Sequence, residues 1–270
     1  MTRKTWLVTG CSTGYGRAMA KVLLERGERV AATARRLELV EELVAPYGER
    51  ALALPLDITR EDQIAATVAA CRERFGAIDV LVNNAGYGEM GTVEETGIEV
   101  ARRLMETNYF GTLAMIRAVL GEMVERRSGQ IVNIGSVAGQ IGFPALGYYC
   151  ATKFAIAGLT ESLAAELRLL GIRVTLAELG PFATDFTASM TFNMPGSHYD
   201  MAALTQRAGN AGWSAGDDAE LGALALLKAL DSDDPPVRLP LGGEGLDTVL
   251  LHDERRAAER AKWLHLARMQ

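Results

Sequence analysis

The sequence has few cysteines, no excess of basic residues and no long apolar run, and each shortage excludes a class of protein. Its 270 residues contain only three cysteines, Cys11, Cys71 and Cys150. An odd number of cysteines without metal-ligand spacing predicts a reducing, cytoplasmic setting and no metal site. No apolar run approaches the roughly 20 residues that a membrane span needs, and the first residues lack the apolar segment of a signal peptide.

Basic residues are outnumbered, since 28 Lys and Arg stand against 34 Asp and Glu and give a net charge of −6. A nucleic-acid-binding protein would show basic clustering, so we do not expect one. Hydrophobic residues make up 49% of the chain, and a chain of this length buries a large core without disulfides or metals. Composition therefore predicts one soluble globular domain without nucleic-acid or membrane partners.

Short apolar runs alternate with longer amphipathic stretches along most of the chain. The predicted strands cover residues 6–8, 29–33, 51–56, 79–82, 130–134, 173–176 and 237–241. The predicted helices cover residues 17–26, 37–44, 61–75, 100–126, 148–170 and 219–230. Continuously apolar strands are typical of a parallel sheet that is covered on both faces. Repeated strand–helix units therefore predict an α/β fold, with a doubly wound, mostly parallel, seven-stranded sheet and helices on both faces.

Two segments lie outside this repeat, and neither indicates a second domain. Residues 184–215 are rich in Met, Phe, Thr, Asn and Gly and lack periodicity, which predicts a lid over a binding site. The last residues, about 245–270, form a charged helical extension. We therefore expect residues 1–270 to form a single domain with a lid and a C-terminal helix.

A glycine-rich turn, TGCSTGYG, joins the first strand to the first helix. Its glycines, Gly10, Gly14 and Gly16, would let the backbone turn tightly and approach a pyrophosphate at the positive helix N-terminus. The spacing is G-x-x-x-G-x-G rather than the more common G-x-G-x-x-G, and an ordinary tight turn is the alternative. The other predicted cofactor contacts in this loop are Ser12, Thr13 and Tyr15.

The end of the second strand bears on the choice of cofactor. A dinucleotide fold that prefers NAD usually places an acid there, whereas this chain has Arg35 and Arg36 and no carboxylate. A guanidinium suits the 2′-phosphate of NADP(H) through forked, charge-assisted hydrogen bonds. We predict that NADP(H) is preferred over NAD(H), with Arg35 as the main contact and Arg36 as support. Two solvated arginines are the alternative.

Ser136, Tyr149 and Lys153 form the third group of interest. Tyr149 and Lys153 are four residues apart in YCATK and therefore project from one face of a helix. A free tyrosine has a pKa of about 10, and a nearby ammonium would lower that pKa toward the working range of a general acid–base catalyst. Ser136 lies 13 residues earlier, at the end of a strand, where its hydroxyl could face the same carbonyl.

These motifs in their order resemble the short-chain dehydrogenase/reductase family, in its single-domain branch with a Rossmann fold. The resemblance extends over nearly the whole chain and includes the segment Asn83-Asn84-Ala85-Gly86. TGCSTGYG, NNAGYGEMG and the DPPVRLPLG tail are most similar to members like 17β-hydroxysteroid and retinol dehydrogenases. The family implies an NAD(P)-dependent enzyme that acts on a CH–OH group, with a tyrosine as general acid and base.

The resemblance also implies roles for individual residues. Tyr149 would exchange a proton with the substrate oxygen, Lys153 would lower the pKa of Tyr149 and hold the nicotinamide ribose, and Ser136 would polarise the carbonyl. Asn108 would hold a water in a proton relay through Lys153. The remaining implied cofactor contacts are Asp57, Ile58, Asn84, Ala85, Gly86, Gly180 and Thr184, and the role of Asn84 could be wholly structural.

The chain departs from the family pattern after the sixth of these strands. The usual Pro-Gly-x-x-x-Thr appears with Leu179 in place of the proline, whereas Gly180 and Thr184 keep their positions. Loss of the fixed proline φ predicts a looser entry to the lid. A basic residue that some NADP(H)-binding members carry in the glycine loop is also missing, so the cofactor prediction rests mainly on Arg35.

We therefore predict an NADP(H)-dependent oxidoreductase that interconverts a carbonyl and an alcohol on a small, lipophilic substrate. The lipophilic substrate is inferred from apolar lid residues: Phe182, Phe186, Met190, Phe192 and Met194. Lid packing onto the core is the alternative for these side chains. The competing functions are a non-catalytic NADP(H)-binding regulator or scaffold, and a nucleotide-sugar epimerase or dehydratase, which usually carries a larger C-terminal domain. By resemblance we expect a homodimer or homotetramer that pairs through the helices at 100–126 and 148–170.

Overall fold

The computed structural model describes residues 3–186, 190–192, 198–200, 203 and 216–267. Its strands are β1 (Thr5–Val8), β2 (Arg29–Ala34), β3 (Ala51–Pro55), β4 (Val80–Asn83), β5 (Glu89–Met90), β6 (Gly129–Ser136), β7 (Ile172–Leu179), β8 (Thr191–Phe192) and β9 (Arg238–Leu241). Its α-helices are α1 (Gly14–Glu25), α2 (Leu37–Val44), α3 (Glu61–Phe75), α4 (Ile98–Met105), α5 (Thr112–Arg126), α6 (Gly147–Leu167), α7 (Ala219–Leu230) and α8 (Gly243–Ala267). Short 3₁₀ turns cover Ala45–Arg50, Val137–Gly139 and Arg168–Leu170.

Seven strands form one sheet in the order β3-β2-β1-β4-β6-β7-β9, and every neighbouring pair is parallel. This confirms the predicted doubly wound, seven-stranded sheet. The order reverses between β1 and β4, which places a crevice outside the carboxyl ends of these two strands. The glycine loop follows β1, and the segment Asn84-Ala85-Gly86 follows β4, so both motifs lie at this crevice.

Each face of the sheet carries its own apolar core. Side chains alternate between the faces along a strand, so Trp6 and Val8 pack on the side of α1 and α7. Leu7 packs on the other side, with Ile131 of β6 and Met115 of α5. These five side chains are at most 2% exposed. Because both faces of the sheet are buried, the strand sequences are continuously apolar, as predicted.

The helix predicted over residues 100–126 is interrupted. A π-helical turn at Glu106–Gly111 separates α4 from α5. Asn108 lies inside this turn, and its main-chain oxygen accepts a hydrogen bond from the Thr112 hydroxyl at 3.0 Å. Single π turns inside α-helices occur often at functional sites, and this one brings the Asn108 side chain toward the loop after β4.

Two short elements near the predicted lid were not expected from the sequence. Strands β5 and β8 pair in parallel through two residues each, Glu89 with Thr191 and Met90 with Phe192. Runs of two residues are too short to show a periodicity. Most of the predicted lid, including Met194, lies outside the described residues.

The backbone at the start of the predicted lid is more constrained than the replacement of the usual proline by Leu179 predicts. Leu179 is paired with Ser136 of β6 on one side and with Leu241 of β9 on the other. The main-chain N–H of Gly180 then donates to the Leu241 oxygen at 2.8 Å. The strand ladder, rather than a proline ring, therefore constrains the backbone here.

The buried contacts of helix α8 with the domain lie in its first turns. A Cβ on Gly245 would lie 2.5 Å from the Gly180 Cα, so the two backbones are in close contact. Val249 is buried, whereas all side chains from residue 253 to residue 266 are exposed. Among the described helices, none is long and apolar enough to cross a membrane.

Candidate active site

The glycine loop after β1 has the strained backbone that its glycines allow. Gly10 and Gly14 have φ values of +74° and +61°, which residues with a Cβ adopt rarely. Gly16 lies inside α1, where a Cβ would come within 2.2 Å of the Asn84 amide nitrogen and 2.3 Å of the Gly10 oxygen. The three glycines therefore permit a turn that is packed directly against the loop after β4.

Asn84 and Thr9 connect these two loops. The Asn84 side-chain amide donates to the main-chain oxygens of Thr9 and Gly10, both at 3.0 Å. The Thr9 hydroxyl accepts from the main-chain N–H groups of Asn84 and Ala85, at 2.9 and 3.0 Å. Asn84 is thus occupied in shaping the glycine loop, while Gly86 remains exposed. The sequence did not single out Thr9, although it begins the glycine motif.

The N-terminus of α1 suits a phosphate. Thr13 occupies the N-cap position without a side-chain capping bond, and the first turn holds no acidic residue. The first N–H groups of a helix then point outward together with the positive end of its dipole. A Cβ on Gly14 would lie 3.7 Å from the Thr184 Cβ, so Thr184 lies beside the N-terminus of α1. An open cleft of about 620 Å³ lies beside Gly14 and Thr184.

Tyr15 and Ser12 are placed differently within the loop. Tyr15 is only 7% exposed and packs against Phe182, with ring centroids 5.5 Å apart. Its buried hydroxyl has no hydrogen-bond partner among the described residues. Ser12 is half-buried. Tyr15 and Phe182 therefore belong to the core beneath the glycine loop.

Arg35 and Arg36 follow β2 directly, and both are exposed. Burial raises the pKa of the nearby Asp57 carboxyl, but hydrogen bonds from Thr59 and the charges of Arg35 and Arg60 outweigh it and leave that pKa below its ordinary value. Arg35 and Asp57 therefore lie close enough to interact, at neighbouring carboxyl ends of the sheet. Of the two arginines that follow β2, only Arg35 is among the charges that lower the pKa of Asp57.

Ile58, beside Asp57, is packed into the core. It is 5% exposed, and a Cβ at Gly111 would lie 2.7 Å from its Cγ1 atom. Gly111 closes the π turn that contains Asn108, so Ile58 supports that turn from below. The predicted cofactor contact at Ile58 would have to come from its main chain or from the edge of its side chain.

Ser136, Tyr149 and Lys153 meet at the carboxyl end of β6. Tyr149 and Lys153 project from one face of α6, and the Lys153 ammonium lies 5.7 Å from the centre of the Tyr149 ring. The Tyr149 hydroxyl is hydrogen-bonded to the Ser136 side chain. Ser136 Oγ also accepts from the Ala138 main-chain N–H at 3.1 Å, which leaves its own proton free to be donated. The structure thus brings together three residues that the sequence grouped by spacing.

The predicted direction of the Tyr149 pKa shift is wrong. Burial raises the pKa of Tyr149 well above its ordinary value, and the hydrogen bond with Ser136 opposes this only in part. Lys153 Nζ is turned to the sheet, where it donates to the Ile134 oxygen at 2.8 Å. Burial also lowers the pKa of Lys153 to about 8. In this structure the phenol is therefore protonated at neutral pH, because desolvation outweighs the hydrogen bond with Ser136.

Asn108 is held beside this group by three hydrogen bonds. Its amide nitrogen donates to the Tyr87 oxygen at 2.9 Å and to the Thr152 hydroxyl at 3.1 Å. Its amide oxygen accepts from the Tyr87 main-chain N–H at 3.1 Å. Thr152 lies between Tyr149 and Lys153 on α6, so Asn108 is connected to that helix through a neighbour of both. No motif or spacing predicted Tyr87 and Thr152 as its partners.

Apolar side chains surround the Tyr149 ring. Phe186 contacts it, with ring centroids 5.8 Å apart, and Met190 packs in the same cluster. Further members of this apolar wall come from three separate segments: Met90, then Ile141, Phe143 and Leu146, and finally Val249. Val249 belongs to α8, about 100 residues after Tyr149, and no local pattern could have placed it here. The wall provides a water-poor surface beside the phenol.

The described part of the chain offers no metal site. No group of three or more His, Cys, Asp or Glu side chains within it is arranged to hold an ion. Cys11, Cys71 and Cys150 are all buried and free.

Comparisons with known proteins agree with this geometry. A family model described as short chain dehydrogenase matches residues 4–194. The oxidoreductase BOA17 of Botryotinia fuckeliana is 33% identical over 268 residues, which is 98% of each chain. A short-chain dehydrogenase from Streptomyces avermitilis has a solved structure that is 37% identical, with a TM-score of 0.89 and coverage of 99% of this chain and 98% of that one.

A second solved structure shows what a related crevice can hold. It is a short chain dehydrogenase from Burkholderia cenocepacia in complex with NADP, 28% identical, with a TM-score of 0.75 over 97% of this chain and 98% of that one. The family match covers the glycine loop and the segment that carries Ser136, Tyr149 and Lys153. The resemblance predicted from these motifs is confirmed: the chain belongs to the short-chain dehydrogenase family and is an NAD(P)-dependent oxidoreductase.

Proposed function

We propose that this protein is an NADP(H)-dependent oxidoreductase that interconverts a carbonyl and an alcohol on a small, lipophilic substrate, with Tyr149 as general acid and base. The observation that carries the proposal is the meeting of Ser136, Tyr149 and Lys153 beside an apolar wall. A hydroxyl and a phenol that share a hydrogen bond can both reach one substrate oxygen. The alternative, a non-catalytic NADP(H)-binding regulator, would not require these groups to converge.

The crevice fits a dinucleotide. Gly10, Gly14 and Gly16 leave the space that a Cβ would fill, and the uncapped N-terminus of α1 suits a pyrophosphate. Arg35 would hold the 2′-phosphate of the adenosine ribose, with Arg36 in support, and Asp57 would contact the adenine. Further contacts would come from Ser12, Thr13, Tyr15, Ile58, Asn84, Ala85, Gly86, Gly180 and Thr184. When bound, the nicotinamide supplies or accepts the hydride.

The chain's own residues would handle the proton. Ser136 donates its hydroxyl proton to the substrate oxygen and thereby polarises the carbonyl. Tyr149, protonated at neutral pH because of its burial, gives its proton to that oxygen during reduction and takes it back during oxidation. Lys153 holds the ribose and, through Asn108 and a water, returns a proton to Tyr149.

The apolar wall around Tyr149 supports a lipophilic substrate. Phe186, Met190 and Phe143 would pack against an aliphatic or aromatic body while the carbonyl faces Ser136. We also propose that residues 184–215 act as a lid of a single domain, since Phe186 and Met190 stand at the start of this segment. Pairing through the helices at 100–126 and 148–170 is supported by Phe110 and Phe154, which are 50% and 41% exposed.

A substrate screen tests the activity. The loss of NADPH absorbance would be followed with a panel of ketones and aldehydes of increasing apolar size. The same panel would be measured with NADH. We expect kcat/KM to rise with apolar size within a homologous series, since each buried CH₂ contributes about 0.8 kcal/mol. Oxidation of neither cofactor with any member of the panel would favour the regulator.

The cofactor preference is tested at Arg35. We expect Arg35→Ala to raise the KM for NADPH roughly 30-fold, since a hydrogen bond to a charged group contributes about 2 kcal/mol. The KM for NADH should change little, because NADH lacks the 2′-phosphate. Arg36→Ala is the matched control and should have a smaller effect on NADPH. A wild-type protein that prefers NADH, or an equal loss for both cofactors, would contradict the assignment.

The pH profile tests Lys153. Its pKa of about 8 means that its positive charge is lost as the pH rises through that value, so kcat/KM for NADPH should fall above about pH 8. The unfolded chain keeps the lysine protonated up to its ordinary pKa, so the apo protein should gain stability over the same rise in pH. Activity and stability would then change in opposite directions.

Two variants control this profile. Lys153→Met should remove the inflection near pH 8 together with most activity. Lys21→Met should leave the inflection in place, because Lys21 is exposed and its hydrogen bond with Glu220 raises its pKa. An inflection that persists in Lys153→Met would assign the titration to another group.

A further inference from the structure

The second half of α8 extends from the domain without a partner. Every side chain from residue 253 to residue 266 is exposed, and within the described part of the chain this stretch is joined to the domain by one hydrogen bond, from Arg256 Nη1 to the Gln140 oxygen at 3.3 Å. Helices of this length that pack against nothing are marginal in water. A segment of about 14 residues that stays helical beyond its own domain is therefore typical of a helix that packs against another molecule.

Apolar side chains are nevertheless concentrated on this helix. Leu250, Trp263 and Leu264 are 53%, 59% and 43% exposed. Leu250, Ala257 and Leu264 follow one another at intervals of seven residues, and Ala261 lies between the last two, so all four share one face. Small alanines between two leucines allow a second helix to approach closely. This stripe is shaped for another helix rather than for solvent.

The charges of α8 are divided between its two halves. Residues 244–254 contain four acids, Glu244, Asp247, Asp253 and Glu254, and no Lys or Arg. Residues 255–267 contain four bases, Arg255, Arg256, Arg260 and Lys262, and one acid, Glu259. The helix dipole favours acids only in the first turn and bases only in the last. The reversal at residues 254 and 255 lies in the middle of the helix, where the dipole does not explain it.

We propose that α8 is an interface on which a second copy of this chain packs, with the two helices antiparallel and centred on Ala257. A two-fold axis at Ala257 places Leu250 opposite Leu264 of the partner subunit. It also places Glu254 opposite a basic Arg260 on the second copy, and both of these side chains lie on the side of the helix that carries the stripe. Such a contact is self-complementary, as a two-fold interface requires.

A partner of uniform charge does not fit this helix. A basic partner would be attracted to the acidic first half of α8 and repelled by the basic second half. An acidic partner would be repelled by the first half and attracted to the second. A parallel second copy would bring like charges together along the whole length. Among these arrangements only the antiparallel second copy pairs both halves, and it does so with every apolar residue of the stripe covered. This interface is separate from the helices at 100–126 and 148–170.

Charge reversal tests the pairing. Sedimentation velocity would be measured for the wild type, for an acidic variant made by Arg260→Glu, and for a basic variant made by Glu254→Lys, so that like charges meet across the axis in each variant. Each variant alone should lose one association step, with a Kd at least tenfold higher than that of the wild type. An equimolar mixture of the two should recover it, because positions 254 and 260 then carry opposite charges across the axis at both ends of the contact.

Cysteine cross-linking fixes the direction of the helices. The three natural cysteines are buried, so one introduced on α8 is the accessible thiol. Under mild oxidation Ala257→Cys should form a covalent dimer by itself, whereas Leu250→Cys and Leu264→Cys should do so only when mixed. Glu259→Cys, on the opposite face, is the control. Leu250→Cys dimers formed alone would show a parallel pair, and no cross-link together with unchanged sedimentation would show that α8 is not an interface; either result overturns the proposal.

Discussion

Tyr149→Phe is expected to lower kcat for carbonyl reduction by about 10³-fold or more, while the Kd for NADPH stays within about threefold of the wild type. General acid–base catalysis contributes roughly 10²–10⁴-fold, and the phenyl ring keeps the packing against Phe186. The loss should appear in kcat, since the hydroxyl acts on the reacting oxygen. Single-turnover absorbance of NADPH and a fluorescence titration of the cofactor measure the two quantities separately.

Tyr148→Phe is the matched control for this prediction. Tyr148 precedes Tyr149 on the same helix, but its hydroxyl donates to the oxygens of Val93 and Thr96, both at 3.2 Å, away from Ser136. Successive residues of a helix point about 100° apart, so this phenol cannot reach the same substrate oxygen. Activity of Tyr148→Phe should stay within a few-fold of the wild type. Turnover of Tyr149→Phe within tenfold of the wild type would remove Tyr149 from the mechanism.

Much of the fold was predictable because its signals are local. Continuous apolar strands and periodic helices gave the seven-stranded sheet, and α2, α3 and α7 begin and end where the periodicity places them. The glycine loop and the four-residue interval between Tyr149 and Lys153 are likewise properties of short segments. In a parallel sheet these segments converge at the carboxyl ends of the strands, so their convergence follows from the topology.

The features that sequence reasoning missed depend on contacts between distant segments. The π turn at Asn108 is coupled to hydrogen bonds with Tyr87, 21 residues earlier, and with Thr152, 44 residues later. The direction of the Tyr149 pKa shift depends on how deeply the ring is buried, which spacing to Lys153 does not reveal. Val249 reaches the apolar wall only because α8 packs against Gly180. None of these contacts produces a periodic pattern in the sequence.

Gly16→Ala is expected to destabilise the protein by about 3 kcal/mol and to weaken NADPH binding by about 100-fold. The new methyl group would lie 2.2 Å from the Asn84 amide nitrogen and 2.3 Å from the Gly10 oxygen. The Asn84 amide cannot withdraw without giving up its bonds to Thr9 and Gly10, and overpacking adds its own strain. Any shift of α1 that relieves the clash also moves the N–H groups that would hold the pyrophosphate.

Gly121→Ala separates this steric effect from the general effect of alanine in a helix. Gly121 lies within α5, and a Cβ there would have no neighbour within 4 Å. Its replacement should stabilise the protein by about 0.5–1 kcal/mol, because alanine loses less backbone entropy in a helix than glycine does. Urea unfolding without cofactor and NADPH titration would be run on both variants. If Gly16→Ala were as stable as Gly121→Ala and bound NADPH as well, the close approach of the two loops would not hold the cofactor site together. If it were destabilised but bound NADPH normally, the glycine would serve the packing of α1 and Asn84 alone.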